Sequence, residues 1–107
     1  MEIDKLNKMF AMQKELQEKL SVTFDQGYIN IMALALEDEI HEALRETPWK
    51  PWKKNQTMNQ ENYKKELVDA FHFFMNMCIA GNVTANDLYN GYIEKNKENH
   101  ERKEAGY

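Results

Sequence analysis

Residues 60–80 read QENYKKELVDAFHFFMNMCIA. At 100° per residue Leu67, Val68, Phe71, Phe74, Met75 and Cys78 fall on one broad side of a helix, while Ala70, Phe73 and Met77 make the other side apolar as well. A helix that is hydrophobic nearly all round is a buried one, so this segment is expected at the centre of the fold. Yet Glu66, Asp69 and Asn76 lie within its second apolar group. Carboxylates on a buried helix face something other than bulk water, and left unpaired they are costly.

The flanking sequence supplies the partners of this helix. Residues from about 3 to 20, from about 28 to 46 and from Thr84 to about 104 also carry the helical period, which gives four helices, no strands and no repeats. Pro48 biases Thr47 out of the helical region and ends the second helix. Asn59 is placed to cap the third, Gly81 and Asn82 to stop it, and Thr84 with Asp87 three residues on reads as a capping box opening the fourth. Short connections predict an all-α four-helix bundle built as one domain over residues 1–107.

The chain has 107 residues, 42% hydrophobic and 30% charged, with a formal net charge of -4. That balance argues against a binder of duplex nucleic acid, which carries a basic face. A mean hydropathy of -0.81 fits no membrane span. The first residues are acidic and amphipathic rather than basic and then apolar, so no signal peptide is read and a cytoplasmic protein is expected. Cys78, the single cysteine, forms no internal disulfide and reads as a small core residue.

On the second helix Ile29, Met32, Ala33, Leu36, Ile40, Ala43 and Leu44 form one apolar face. Glu39, Glu42 and Glu46 line its edge, while Asp38, His41 and Arg45 point away. Two helices that each present acids at i and i+3, Glu39 with Glu42 and Glu66 with Asp69, would repel one another in a low-dielectric space unless a cation lies between them. All-oxygen ligation selects a hard ion, and Mg²⁺ completes its shell with waters and phosphate oxygens. A di-iron bundle fits less well. Asp38 and His41 have the required i, i+3 spacing but lie opposite the core, and the first and fourth helices offer no inward acid. His72 reads as a helper or a hydrogen-bonded core histidine.

The fourth helix carries complementary chemistry. Tyr92, Lys95, Asn96, Asn99, Arg102 and Lys103 share one face, whereas Glu94, Glu98, Glu101 and Glu104 fall on the opposite half. A salt-bridged surface helix would mix the signs, so this segregation points to a phosphate. On the first helix Ile3, Leu6, Phe10, Leu16 and Leu20 form an apolar stripe with Gln13 at its centre and Gln17 nearby. A buried amide needs partners, either across a subunit seam or on the polar edge of a base.

Together Glu39-x-x-Glu42, the loop PWKPWKKN, the string ELVDAFHF from Glu66 to Phe73 and YIEKNKENHERKEAGY from Tyr92 to Tyr107 resemble the dimeric all-α dUTPases. These stand within the all-α nucleoside triphosphate pyrophosphohydrolases, alongside MazG-like proteins and dCTP pyrophosphatases. The chain looks like a shortened form: members of the family carry further helices between the ExxD helix and the K-N-x-x-N segment, and here only residues 70–91 intervene.

The resemblance implies Mg²⁺-dependent hydrolysis of a deoxynucleoside triphosphate, dUTP first, to the monophosphate and pyrophosphate. Glu39, Glu42, Glu66 and Asp69 would hold the metal, with Glu42 also the base that orients or deprotonates the water. Lys95 and Arg102 would neutralise the leaving pyrophosphate, Asn96 and Asn99 would fix it, and Tyr107 would close over the site. Gln13 would meet the base edge. Trp52, with Trp49 beside it or plugging the bundle, would wall the base or sugar, while Lys53 and Lys54 rim the entrance. Another nucleotide such as dCTP, or a non-catalytic interaction module on the same bundle, are the alternatives. The apolar surface left by so short a chain predicts a homodimer or a dimer of dimers whose sites draw acids from one subunit and phosphate or base contacts from another.

Overall fold

The computed structural model describes residues 4–106, which form four helices and no strand among them. Helix α1 spans Lys5–Lys19, α2 Gln26–Arg45, α3 Gln60–Ala80 and α4 Ala85–Glu104. Each begins on a side chain that accepts from an exposed amide of its first turn: Asp4 from Asn7, Asp25 from Tyr28, Asn59 from Asn62 and Thr84 from Asp87. Asp87 returns the bond to the Thr84 amide, completing the predicted capping box. Helix α2 starts two residues before the predicted Tyr28 because Asp25 makes the cap. After α3 the chain turns through Asn82, whose φ of 58° is the left-handed conformation asparagine tolerates.

Helices α2 and α3 pack along one another as an antiparallel hairpin. Met32 is level with Asn76, whose amide reaches the Met32 sulfur at 3.4 Å. At the other end the Asn59 amide donates to the Glu46 carbonyl at 2.9 Å. Helix α1 lies across α3, and Gln13 Nε2 donates to Asn76 Oδ1 at 2.8 Å. Gln17, one turn on, accepts from the Tyr28 hydroxyl at 2.8 Å and ties α1 to the start of α2. Both glutamines are buried. The polar layer Gln13–Asn76–Met32 thus fixes three helices at one level.

The core is small. Phe10, Met75, Cys78 and Ala85 form its buried cluster, with Leu6, Phe71, Ile79 and Leu88 packed against it. Cys78 is buried and free, as read from the sequence, and burial pushes its thiol up. Helix α4 joins this core only through its first turn and Leu88. From Tyr89 to Glu104 its side chains are exposed, apart from half-buried Glu98. Among the described residues, no Cα of α4 comes within 8 Å of one in α2 or α3.

Several apolar residues expected inside are therefore on the surface. Leu16 and Leu20 leave the α1 stripe, Ile40 and Leu44 stand out from α2, and Leu67, Val68 and Phe74 from α3. The reason is that α2 has α3 as its main neighbour, so one stripe of α2 is covered and its flanks are not. Ile3 lies outside the described residues. The accessible surface is 8577 Å², against about 6,200 Å² for a compact monomer of 12.7 kDa. The radius of gyration is 17.4 Å, where about 13 Å is usual for this length.

Candidate active site

The seam between α2 and α3 is where acids meet. Register brings Glu39 and Glu42 of α2 opposite Asp69 and Glu66 of α3, two helical turns from the Met32–Asn76 level. Carboxylate oxygens of Glu39, Glu42 and Glu66 lie within 4.8 Å of one another, and all three residues are half-buried. Asp69 is exposed at the rim and adds its charge to the field on Glu39. Glu39 occupies the middle of the stripe that faces α3, not its edge, because Met32, Ala43 and Glu46 flank it on the wheel.

Such crowding has a price in protonation. Burial, a hydrogen bond with Glu66 and the charge of Glu42 push Glu39 up to about 7. Glu42 is also held above the ordinary carboxylate range, first by its hydrogen bond with Glu66 and then by burial. These hydrogen bonds need a proton, since two carboxylates can only accept. Without one, Glu39 Oε2 and Glu66 Oε2 are buried oxygens with no donor. A cation answers the same need. The donors are all carboxylate oxygens, so the cluster suits a hard ion such as Mg²⁺.

The loop 46–59 stands at the same end of the hairpin as the acids. The Lys53 amide donates to the Lys50 carbonyl at 3.1 Å, and the Asn59–Glu46 bond closes the base of the loop. Gln56, which sequence reasoning missed, braces it by donating Nε2 to the carbonyls of Lys50 and Lys53. A lone polar residue after KKN carries no signal of that role. Trp49 and Trp52 pack edge to face with ring centroids 5.7 Å apart, and the Lys50 ammonium lies 5.6 Å from the Trp49 ring. Trp52 is 72% exposed and Trp49 41%. Trp49 is the more covered of the two indoles, which meet edge to face within the loop.

The other expected site residues are not brought to the acids within one chain. Gln13 is held by Asn76 and lines an apolar groove of about 610 Å³ between α1 and α3, together with Met9, Met12, Leu16, Leu67 and Phe71. No carboxylate is among the residues that line this groove. Lys95, Asn96, Asn99 and Arg102 stand on the exposed length of α4, where Lys95 pairs with Glu98 of its own helix at 3.7 Å. Tyr107 lies outside the described residues. Among those residues no helix is long and apolar enough to cross a membrane.

Comparison with known proteins finds relatives of this chain. Residues 5–87 match the dUTPase family. A dCTP pyrophosphatase of Enterobacteria phage LZ5 is 41% identical over 71 residues, covering 55% of this chain and 41% of the phage protein. The dCTP pyrophosphatase of Enterobacteria phage T4 is 37% identical over 71 residues, covering 55% and 42%. The chain thus spans about two fifths of the length of either relative. No solved structure matches it significantly. The family match contains all four acids, Gln13, Trp52 and Lys53 and stops at Asp87, before Lys95 to Arg102.

Proposed function

We propose that this chain, which belongs to the dUTPase family, is a Mg²⁺-dependent pyrophosphohydrolase that splits a deoxynucleoside triphosphate into monophosphate and pyrophosphate. The observation that carries the reading is the Glu39–Glu42–Glu66 cluster, three carboxylates within 4.8 Å with two buried oxygens lacking a donor. Mg²⁺ held there would neutralise the triphosphate and acidify an adjacent water. Glu39, Glu42 and Glu66 would hold it, with Asp69 at the rim of the seam. Glu42, the acid nearest the loop, orients the water and takes its proton on a carboxylate oxygen, a role suited to its raised pKa. As the water oxygen bonds to phosphorus in line, the Pα–O–Pβ bridge breaks and pyrophosphate leaves.

The remaining residues bind. Trp52 offers an exposed indole face for the base or sugar, Lys53 attracts the phosphates, and Gln13 meets the polar edge of the base. Lys95, Asn96, Asn99, Arg102 and Tyr107 take the leaving pyrophosphate. The family favours dUTP as substrate. A second reading, dCTP, is supported by the two phage relatives, both dCTP pyrophosphatases. We also propose a homodimer, or a dimer of such dimers, supported by the excess accessible surface and by Leu16, Leu20, Ile40 and Leu44 standing in water. The test is pyrophosphate release across dUTP, dCTP and the other nucleoside triphosphates with and without Mg²⁺. Metal-dependent turnover of one pyrimidine nucleotide is expected, and silence on every nucleotide overturns the reading.

A further inference from the structure

Residues 47–58 join the end of α2 to the cap of α3. Both tryptophans and both prolines of the chain lie here, and a proline brings no N–H to hold a loop together. Among the described residues, the segment 48–58 makes three hydrogen bonds. In one the Lys53 amide donates to the Lys50 carbonyl at 3.1 Å. The other two come from a single group, Gln56 Nε2, which donates to the Lys50 carbonyl and, at 2.7 Å, to the Lys53 carbonyl.

These bonds meet on one turn. Lys50-Pro51-Trp52-Lys53 is closed by the bond from its last amide to its first carbonyl, with Pro51 in the second position, where its fixed φ belongs, and Trp52 in the third. Trp52 is 72% exposed and takes its direction from the turn it stands on. Gln56 grips that turn by its first and last carbonyls at once. Both protons of the amide are used, and the Lys50 carbonyl fills both lone-pair sites, one with the Lys53 amide and one with Gln56. Asn55, left-handed at φ 61°, reverses the chain just before Gln56. The base of the loop, the bond between Asn59 and Glu46, stands one helical turn from Glu42, about 6 Å along α2.

We propose that Gln56 is a positioning residue for the substrate: by clamping both ends of the 50–53 turn it sets Trp52 and Lys53 for the nucleotide at the acidic end of the hairpin. This rests on the pyrophosphohydrolase reading above. Gln56 acts through the turn and not by touching the nucleotide. Without it one backbone bond holds the turn, and the indole and ammonium have to be ordered again each time substrate binds, a cost that falls on binding rather than on chemistry.

Because both tryptophans lie in this loop, the tryptophan band of the near-ultraviolet circular dichroism reads its order, while the far-ultraviolet signal reads the helices. Gln56→Met keeps the length of the side chain and removes its donors. It should weaken the tryptophan band with the helical signal unchanged, and raise KM about tenfold with kcat within about twofold of wild type. Gln56→Lys, which carries three donors on one atom, should restore the band and return KM to the wild-type value or below. In a Trp52→Ala/Lys53→Ala background, adding Gln56→Met should raise KM no further, since the effect passes through those two side chains. A full tryptophan band in Gln56→Met, no recovery of the band in Gln56→Lys, an unmoved KM when the band is lost, or a further rise in the double background overturns the inference. If wild type turns over no nucleotide, the reaction assigned to the site fails, while the tryptophan bands of the two variants still decide whether Gln56 sets the indoles.

Discussion

Raising the pH from 5 to 8 should lower the melting temperature of the metal-free protein, and replacing Glu39 by Gln should abolish most of that fall. In the unfolded chain this carboxyl titrates at 4.5, whereas in the fold it is pushed up to about 7. Between those values the folded state holds a proton that the unfolded state has lost, so stability falls as pH rises. The contribution is fully present below 4.5 and gone above 7. At 1.36 kcal/mol per pH unit the upper bound is about 3 kcal/mol. Glu39 is only half-buried, and solvent screening cuts this to about 1 kcal/mol. For a domain of this size that is a shift of about 5 °C.

Other groups do not blur the window. Asp4 and Asp87 are held low by the amides and side chains of Asn7 and Thr84, so their contribution is lost only as pH falls through the acidic range below it. Glu42 acts in the same direction as Glu39 and leaves the variant a residual slope. The assay is calorimetry or circular dichroism in chelator at fixed protein concentration, for wild type and Glu39→Gln, at half-unit steps. Saturating Mg²⁺ at pH 8 should restore wild type and not the variant. Parallel curves for the two proteins between pH 5 and 8 would refute the idea that crowding in the α2–α3 seam, rather than general charge, sets the dependence.

Glu42→Gln should keep the fold and lower kcat at least about a hundredfold, with the metal-free melting temperature unchanged or raised; normal turnover removes Glu42 as the base. Gln13→Leu leaves Asn76 Oδ1 buried without its donor and should cost about 1–3 kcal/mol in urea unfolding, most of which the double change Gln13→Leu/Asn76→Leu should return. Thr84→Ala removes one arm of the capping box and should cost about 1 kcal/mol, read as a lower melting temperature with pyrophosphate release per folded site unchanged.

Ends of helices were legible because caps are local chemistry. Asn59, Thr84 and Asp87 act where the sequence places them, and the start of α2 was misjudged only because Gly27 reads as a loop residue while Asp25 caps two residues ahead of it. Convergence of Glu39, Glu42 and Glu66 was legible too, since acids on two apolar helices have few places to go. Which flank of each helix is covered was not. A wheel shows that Ile40 and Leu44 share a side, but only the path of the chain decides that this side is left about half exposed. Likewise α4 shows a sorted face in sequence, and its departure from α2 and α3 is a property of how the turn at 81–84 aims it.

The level at which Asn76 meets Met32 is seven residues from Glu39 on one helix and seven from Asp69 on the other. Two turns of helix separate the hinge pin from the acids on both sides of the hairpin. A single inserted or deleted residue between these levels would swing one pair of carboxylates by about 100° out of the seam, and three or four in one helix alone would leave them facing the right way at the wrong height. Length variation in this stretch is therefore confined to matched steps of seven in both helices. A hairpin lengthened in that way would move the acids away from Gln13 without disturbing either layer, and so offers a ruler for how far apart the two ends of a nucleotide can be held.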